Sequence, residues 1–190
     1  MEGVGRIMEF DPISYLLGAK AGGGGGNSSR GSTIPSADDG NNGDIYTRTN
    51  ADGSQILAIY WKSAGAWKVI WTSEITVVQY YLGDSNAVIE YLDETTMVIT
   101  YTPAASDAYG IVFTTKSWDP LISIDTDQYN QMGRCTKSAS LPTIMSAGTG
   151  RDNFNENTGS QEHQYSYRST INFFVACLGT TQRTVTISKP

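Results

Sequence analysis

The chain has 190 residues, a formal net charge of −6, a charged fraction of 17%, 20 glycines and 11 tyrosines. This length suits one ordinary domain, or a smaller domain with tails. The net negative charge and the scattered positions of the lysines and arginines argue against electrostatic binding to nucleic acid or to an anionic membrane surface. A low charge combined with abundant glycine and tyrosine is typical of a β-protein that works outside cells or on a particle surface.

The N-terminus predicts neither a membrane span nor a secretion signal. No run approaches the roughly 20 apolar residues that a transmembrane helix needs. The apolar stretch from Ile13 to Leu17 is short and follows Glu9, Asp11 and Pro12, which do not fit a signal peptide. We therefore expect the chain to fold in a cytoplasm, without insertion into a membrane.

The first predicted element is a short helix over residues 11–20. Asp11 is a suitable N-cap, Pro12 fits the first helical position, and Gly18 or Gly22 can end the helix. About two or three turns are not stable alone in water, so this helix must dock onto the chain's own body, a sister subunit or a partner. We interpret residues 1–21 as a docking peptide, with the contact residues Ile13, Tyr15, Leu16 and Leu17.

Residues 22–44 are predicted to be a flexible linker. They begin with five consecutive glycines, contain eight glycines in 23 positions, and are otherwise mostly serine, asparagine and aspartate. Such a composition offers little apolar surface to offset the entropy of ordering, and the coil would span roughly 25 Å. A phosphate-binding loop is excluded because no strand precedes the glycines and no Gly-Lys-Ser/Thr follows them.

A small β-meander is predicted over residues 45–72. Its strands are Ile45–Thr49, Gln55–Lys62 and Ala66–Trp71, and they are separated by turns at residues 50–53 and 63–65. The Asp-Gly pair in the first turn tolerates positive φ and is typical of hairpins. The middle strand carries apolar residues on both faces, so both faces must be covered, either by a second sheet or by another chain.

A larger β-domain is predicted over residues 73–190. The expected strands are Ile75–Leu82, Val88–Leu92, Thr96–Thr102, Ile111–Thr115, Leu121–Ile124, Ile171–Leu178 and Thr184–Ser188. Short strands at close spacing indicate a sandwich, barrel or fibre-type domain. The predicted fold is therefore mainly β: an antiparallel meander plus a β-sandwich or fibre-knob-like body, with a short N-terminal helix and a Gly-rich linker.

Two cysteines do not make a disulfide framework. Cys177 lies in the apolar run Phe173-Phe174-Val175-Ala176-Cys177, so we interpret it as a small buried hydrophobic residue. A bridge between Cys135 and Cys177 is the alternative.

The sequence contains only weak signals for a metal site or for a catalytic nucleophile. His163 is the single histidine, and neither a zinc pattern nor a nucleophile elbow accompanies it. Asp125-Thr126-Asp127 begins like a calcium loop, but Tyr129 and Thr136 stand where ligands belong. We expect no metal, no cofactor and no catalytic residue.

Two acidic pairs could be imagined as glycosidase carboxylates. Asp93 and Glu94 lie in a predicted hairpin turn, and Asp152 and Glu156 lie in a polar stretch without a pocket signal. Neither pair predicts catalysis, so the chain is not expected to be an enzyme.

Aromatic and amide side chains are the better candidates for binding. Flat rings can stack on sugars, and Asn/Tyr-rich segments make adaptable contacts. The alternatives are that the rings are core or interface residues and that the polar segment from Arg151 to Tyr167 is a solvated loop. The binding candidates are Trp61, Trp67, Trp71, Trp118, Asn153, Asn155, Asn157, Tyr165 and Tyr167.

The meander also resembles a known module. Asn42-Gly43-Asp44-Ile45-Tyr46 is followed by the Asp-Gly hairpin, an Ile-Tyr-Trp-Lys strand and Ala64-Gly65-Ala66-Trp67-Lys68. This order resembles short β-modules in structural proteins of tailed bacteriophages and prophages, especially fibre and tail-tip proteins, where Gly-rich stretches often precede the module. The resemblance covers roughly residues 8–71.

The resemblance implies a virion protein that is assembled in the host bacterial cytoplasm and held to capsid or tail proteins by its N-terminus. Fibres of this kind are commonly homotrimers, which agrees with a strand that is apolar on both faces. The chain has neither a collagen repeat nor heptads, which favours a short fibre, knob or decoration protein. Two roles stay open for the body: binding a host-surface glycan or protein, or stabilising the capsid or tail as a purely structural decoration.

Overall fold

The computed structural model describes residues 26–81, 86–103 and 107–190 of the chain. Strands account for 58% and helix for 4%, so the prediction of a mainly β fold is confirmed. The predicted docking helix, with Ile13, Tyr15, Leu16 and Leu17, lies outside the described residues.

The described residues divide into two compact units. The small unit comprises residues 26–74 and 90–95, and the large unit comprises residues 75–81, 86–89, 96–103 and 107–190. The small unit thus contains the predicted meander together with part of the predicted linker and a turn from later in the chain.

The described residues form fourteen strands and one helix. In chain order these are β1 (Ser28–Gly31), β2 (Ile45–Thr49), β3 (Ile56–Ser63), β4 (Ala66–Thr72), β5 (Ile75–Tyr81), β6 (Asn86–Tyr91), β7 (Thr96–Thr102), β8 (Asp107–Thr115), β9 (Leu121–Asp125), β10 (Tyr129–Thr136), α1 (Leu141–Ala147), β11 (Arg151–Thr158), β12 (Gln161–Gln164), β13 (Ile171–Gly179) and β14 (Arg183–Ser188).

The predicted meander is present in the small unit, where β2, β3 and β4 pair antiparallel in chain order. The turn between β3 and β4 has positive φ at two consecutive residues, 50° at Ala64 and 79° at Gly65. Such a pair of left-handed residues matches the twist of the flanking strands in a type I′ hairpin. The second position is glycine, which adopts this conformation without steric cost.

One face of this meander carries the small unit's core. Ala58, Tyr60 and Val69 are buried there, and Tyr46, Trp67 and Tyr91 pack against them. Lys62 lies on the same face and is only 4% exposed. Its ammonium group donates to the backbone oxygens of Ala37 and Asp39 and lies 5.3 Å from the Trp67 ring centroid.

Residues 27–44 correct the prediction of a flexible linker over residues 22–44. Strand β1 pairs in parallel with β2, from Ser28 opposite Ile45 to Gly31 opposite Arg48. The Asp44 carboxylate accepts hydrogen bonds from the backbone N–H groups of Asn27 and Asn41, each at 2.7 Å. The segment buries few apolar side chains, and hydrogen bonds from the meander order it instead.

The last of the five glycines has a packing role. A Cβ on Gly26 would lie 1.9 Å from the backbone oxygen of Gly43. Only glycine allows this close approach of two backbone segments. Gly26 is therefore needed for the close packing of its backbone against that of Gly43, rather than for flexibility.

Glu94 holds the turn of residues 92–95 against the meander. Its carboxylate accepts two hydrogen bonds from the Arg48 guanidinium and one from the Tyr60 hydroxyl. Its backbone oxygen accepts from Thr72 Oγ1 at 2.9 Å. Burial and the neighbouring carboxylate raise the pKa of Tyr60. Asp93 and Glu94 therefore belong to a turn, as expected, and Glu94 is engaged in an ion pair.

The large unit contains two antiparallel arrays. One has the order β7-β14-β9-β12, and the other is a five-stranded sheet with the order β11-β10-β13-β8-β5. They pack face to face: Tyr101 of β7 and Tyr109 of β8 have ring centroids 4.9 Å apart. Arg183 of β14 is 1% exposed and stacks over Tyr109, with 5.2 Å between its guanidinium carbon and the ring centroid.

Helix α1 covers the other face of the five-stranded sheet. Leu141 and Ile144 of the helix form a buried cluster with Val112, Cys135, Phe174 and Ala176. The Leu141 N–H donates to Gln79 Oε1 at 2.9 Å, which satisfies one free group at the helix start. At the other end, the Arg151 guanidinium donates to the Ile144 backbone oxygen at 2.7 Å and 2.9 Å. Cations are favourable at this end of a helix.

The cysteines are not bridged. Cys135 and Cys177 are both free and buried, so the disulfide alternative is wrong and Cys177 is a buried apolar residue as predicted. Burial raises the pKa of Cys135 to about 12 and that of Cys177 to about 11.

We expect Phe174→Ala to lower the free energy of unfolding by about 3–5 kcal/mol, because it leaves a cavity between the sheet and the helix. Phe154→Ala is the matched control, since Phe154 is 42% exposed, and its effect should stay below about 1 kcal/mol. Urea denaturation followed by fluorescence measures both. Equal losses would contradict the assignment of Phe174 to the core.

Asp44 should contribute pH-dependent stability. Hydrogen bonds from the Asn41 and Asn27 backbones lower its pKa in the folded state. A lowered folded-state pKa stabilises the fold above the unfolded value of about 3.9, and this stability is lost as the pH falls through the folded-state pKa. Asp44→Asn should therefore lower the urea midpoint at about pH 7 and have a smaller effect at about pH 3. An effect of the same size at both values would contradict the prediction.

Candidate functional site

The sequence-predicted binding residues lie in three places. The first is the meander of the small unit, with Trp61, Trp67 and Trp71. The second is one end of the large unit, with Trp118, Tyr165 and Tyr167. The third is strand β11 of the large unit, with Asn153, Asn155 and Asn157.

Trp61 and Trp71 lie on the face of the meander opposite its core. Cross-strand pairing places Ile45, Trp61 and Lys68 in one row, and Thr47, Ile59 and Trp71 in the next. Residues directly opposite each other on paired strands point to the same side. Trp61 is 42% exposed and Ile45, Ile59 and Trp71 are half-buried. We call these six residues the outer face of the small unit.

Trp67 lies on the core face instead. Its indole N–H donates to the Ser36 backbone oxygen at 3.0 Å, and its ring centroid lies 6.1 Å from that of Tyr46. Together with the Lys62 contact, these interactions favour the structural alternative for Trp67. Trp67 and Trp71 are four residues apart on β4, and the register shift opposite Ile59 and Tyr60 turns Trp71 to the outer face.

A shallow pocket lies at one end of the large unit. Leu121, the first residue of β9, pairs with Gln164 of β12 on one side and with Ser188 of β14 on the other. The turn before β9 and the residues after β14 therefore meet the end of β12. The pocket has a volume of about 340 Å³ and is lined by Ser117, Trp118, Asp119, Gln164, Lys189 and Pro190. We call it the Trp118 pocket.

Trp118 is a buried residue of this pocket wall. Ser117 has a φ of 66°, which is uncommon for a residue with a Cβ. Thr115 Oγ1 donates to the Trp118 backbone oxygen at 2.6 Å. The Trp118 side chain is 6% exposed, and its buried indole N–H has no hydrogen-bond partner. Trp118 thus cannot offer a broad ring face to a sugar, but it carries an unused donor.

Backbone hydrogen bonds connect Tyr165 and Tyr167 to the segment of the pocket that contains Asp119 and Pro120. The Tyr165 N–H donates to the Pro120 backbone oxygen at 3.0 Å, and the Tyr167 N–H donates to Asp119 Oδ1 at 2.7 Å. Tyr165 is 1% exposed, and its hydroxyl lies within hydrogen-bond distance of Met132 O and Asn155 Oδ1. Its role is structural, and burial raises its pKa.

The Asn-rich segment forms strand β11 rather than a solvated loop. It is an edge strand of the five-stranded sheet. Gly133 and Arg134 of β10 pair with Phe154 and Asp152, so Asn153 is the extra residue of a β-bulge, with a φ of 51°. A bulge and polar side chains protect an exposed edge from pairing with other chains. This structural role accounts for much of the composition, although Asn153 and Asn157 remain exposed.

The titratable groups are dispersed. His163 is exposed on β12, Asp152 forms an ion pair with Arg134 at 3.0 Å, and Glu156 accepts a hydrogen bond from the Tyr129 hydroxyl at 2.7 Å. In the part of the chain that the structure describes, no three His, Cys, Asp or Glu side chains are grouped so as to hold a metal ion. Over the same residues, no helix has the length and apolar character of a membrane span.

Comparisons with protein-family models, curated proteins and solved structures gave no match for this chain. The resemblance to virion proteins therefore stays a prediction.

The buried thiols should be unreactive in the folded protein. Because burial raises the pKa of both cysteines, little thiolate forms at about pH 8. We expect a disulfide exchange reagent such as DTNB to label neither cysteine within minutes in buffer, and both in concentrated urea. Rapid labelling without denaturant would contradict the buried positions.

Proposed function

We propose that this chain is a structural protein of a tailed-bacteriophage virion. Its N-terminal peptide attaches it to capsid or tail proteins, and it displays a trimeric, β-rich body for host-surface binding. The observation that carries the proposal is the outer face of the small unit, because it belongs to the same module that resembles phage fibre proteins.

The outer face supports self-assembly on physical grounds. Four of the six side chains of this face are apolar, they come from three neighbouring strands, and Trp61 remains 42% exposed. Contiguous apolar surface of this kind marks an interaction site, and tryptophan often dominates the binding energy of an interface. A second copy of the chain is the occupant that we propose, because symmetric homo-oligomers are the commonest assemblies.

Trp61→Ser should dissociate the oligomer. We expect the full chain to have about three times its 20.6 kDa monomer mass in light scattering, and the variant to be mainly monomeric, since losing a buried tryptophan costs about 2 kcal/mol or more per interface. Phe154→Ser is the control, because Phe154 has the same 42% exposure but lies on β11. A monomeric wild-type chain, or equal dissociation by both variants, would contradict self-assembly through this face.

The virion assignment is tested on particles. Antibodies against the full chain are applied to phage particles induced from a bacterium whose genome encodes it. The proposal expects the antibodies to label the particles and to reduce adsorption to host cells. Labelling without any effect on adsorption would favour a decoration protein, and absence of the chain from purified particles would refute the assignment.

A further inference from the structure

The Trp118 pocket has features of a ligand site that packing alone does not explain. The indole N–H of Trp118 is buried without a partner, and Trp118 is one of the residues that line the pocket. A buried donor without an acceptor destabilises the fold, and most such donors in proteins are satisfied. The left-handed Ser117 immediately before it adds backbone strain, and strain of this kind concentrates at functional sites.

The polar groups around Trp118 have mixed character. Asp119 Oδ1 accepts one hydrogen bond from the Tyr167 backbone, and a carboxylate has capacity for about three more. Gln164 offers both a donor and an acceptor, and the Ser117 hydroxyl can act as either. Asp119 and Lys189, which both line the pocket, carry opposite charges, so neither sign of side-chain charge predominates in the lining.

These properties indicate the class of ligand. A volume of about 340 Å³ is at the small end of ligand pockets, which range over roughly 300–1,000 Å³. A mixture of donors and acceptors matches the neighbouring hydroxyls of a sugar ring, each of which both donates and accepts. A phosphate or sialic acid would instead favour several cations, and Asp119 would repel it.

We propose that the Trp118 pocket binds a single neutral sugar unit, with Trp118 Nε1, Asp119 and Gln164 as its hydrogen-bonding partners. This proposal rests on the proposed function, because it names the ligand class of the host-surface binding assigned there. The sugar is held by hydrogen bonds at the edge of a buried tryptophan, rather than by stacking on an exposed ring.

The test follows the four tryptophan indole N–H signals of the full-length, isotopically labelled chain by NMR. Glucose, galactose, mannose, rhamnose and N-acetylglucosamine are titrated singly, with N-acetylneuraminic acid and glycerol phosphate as charged probes. Trp118→Phe identifies the Trp118 signal by its loss. At least one neutral sugar should shift the Trp118 signal and leave the Trp61 signal unchanged.

Three pocket variants should weaken binding of that sugar about tenfold or more, in line with the loss of a buried hydrogen bond. Trp118→Phe removes the N–H donor together with the five-membered part of the indole ring. Asp119→Asn keeps an acceptor for the Tyr167 N–H but removes the charge, and Gln164→Ala truncates an exposed side chain. Trp61→Phe, in the small unit, is the control and should bind as the wild type does. Saturation-transfer NMR on the sugar measures affinity where the Trp118 signal has been removed.

Three results would overturn the proposal: no neutral sugar shifts the Trp118 signal, the pocket variants retain full affinity, or a charged probe binds more tightly than every neutral sugar. Light scattering on the same samples separates this failure from that of the proposed function. A trimer that binds no sugar refutes the pocket proposal alone. A monomer that still binds sugar refutes trimeric assembly and leaves the pocket proposal standing.

Discussion

The large unit depends on one constraint, which is that its five-stranded sheet is covered on both faces. The strands β7 and β14 pack against one face, and helix α1 packs against the other. Every residue of β13 from Ile171 to Cys177 is buried as a result. A strand covered on both sides reads as a continuous apolar run rather than an alternating one, which explains the Phe173-Phe174-Val175-Ala176-Cys177 sequence. The same burial raises the pKa of both thiols, and the strand register keeps them apart, because Cys135 pairs with Asn172 and Cys177 pairs with Asn130.

The small unit is organised differently, by polar anchors rather than by apolar layers. The side chains of Lys62, Asp44 and Trp67 form hydrogen bonds with the backbone of residues 27–41. The turn that contains Glu94 is held against the meander because the Glu94 carboxylate accepts hydrogen bonds from Arg48 and Tyr60. With one face of the meander occupied in this way, its apolar residues on the opposite side stay half-exposed. The two candidate interaction surfaces therefore differ in character. The outer face of the small unit is a partly apolar sheet face, whereas the Trp118 pocket is a polar pocket where strand ends of the large unit meet.

Strand prediction succeeded where side chains alternate or are continuously apolar, and failed where they are polar. β2 and β7 have the predicted bounds, and β3, β4, β9, β13 and β14 differ by a residue or so. β11 and β12 lie in a segment that the sequence predicts to be a loop, because an edge strand with polar side chains has no apolar period. Helix α1 gives no clear sequence signal for a similar reason: it has only seven residues and buries only Leu141 and Ile144. For the candidate site, the sequence singled out Trp118 and the flanking tyrosines but could not join them to Gln164 and Lys189, whose proximity depends on strand pairing.

By itself, the sequence determined the mainly β class, the meander with its Asp-Gly and Ala-Gly turns, and the burial of Cys177. These follow from local rules, since strand periodicity and turn conformation are set by neighbouring residues. The tertiary structure decided which tryptophans are buried, which face of the meander stays exposed, and that residues 27–44 are ordered. Those properties depend on partners far along the chain, such as Asp44 with Asn27, Glu94 with Arg48, and Gln164 beside Leu121. The glycine-rich segment shows the difference most plainly: its composition predicts a coil, and side chains that lie outside the glycines hold residues 27–44 in place.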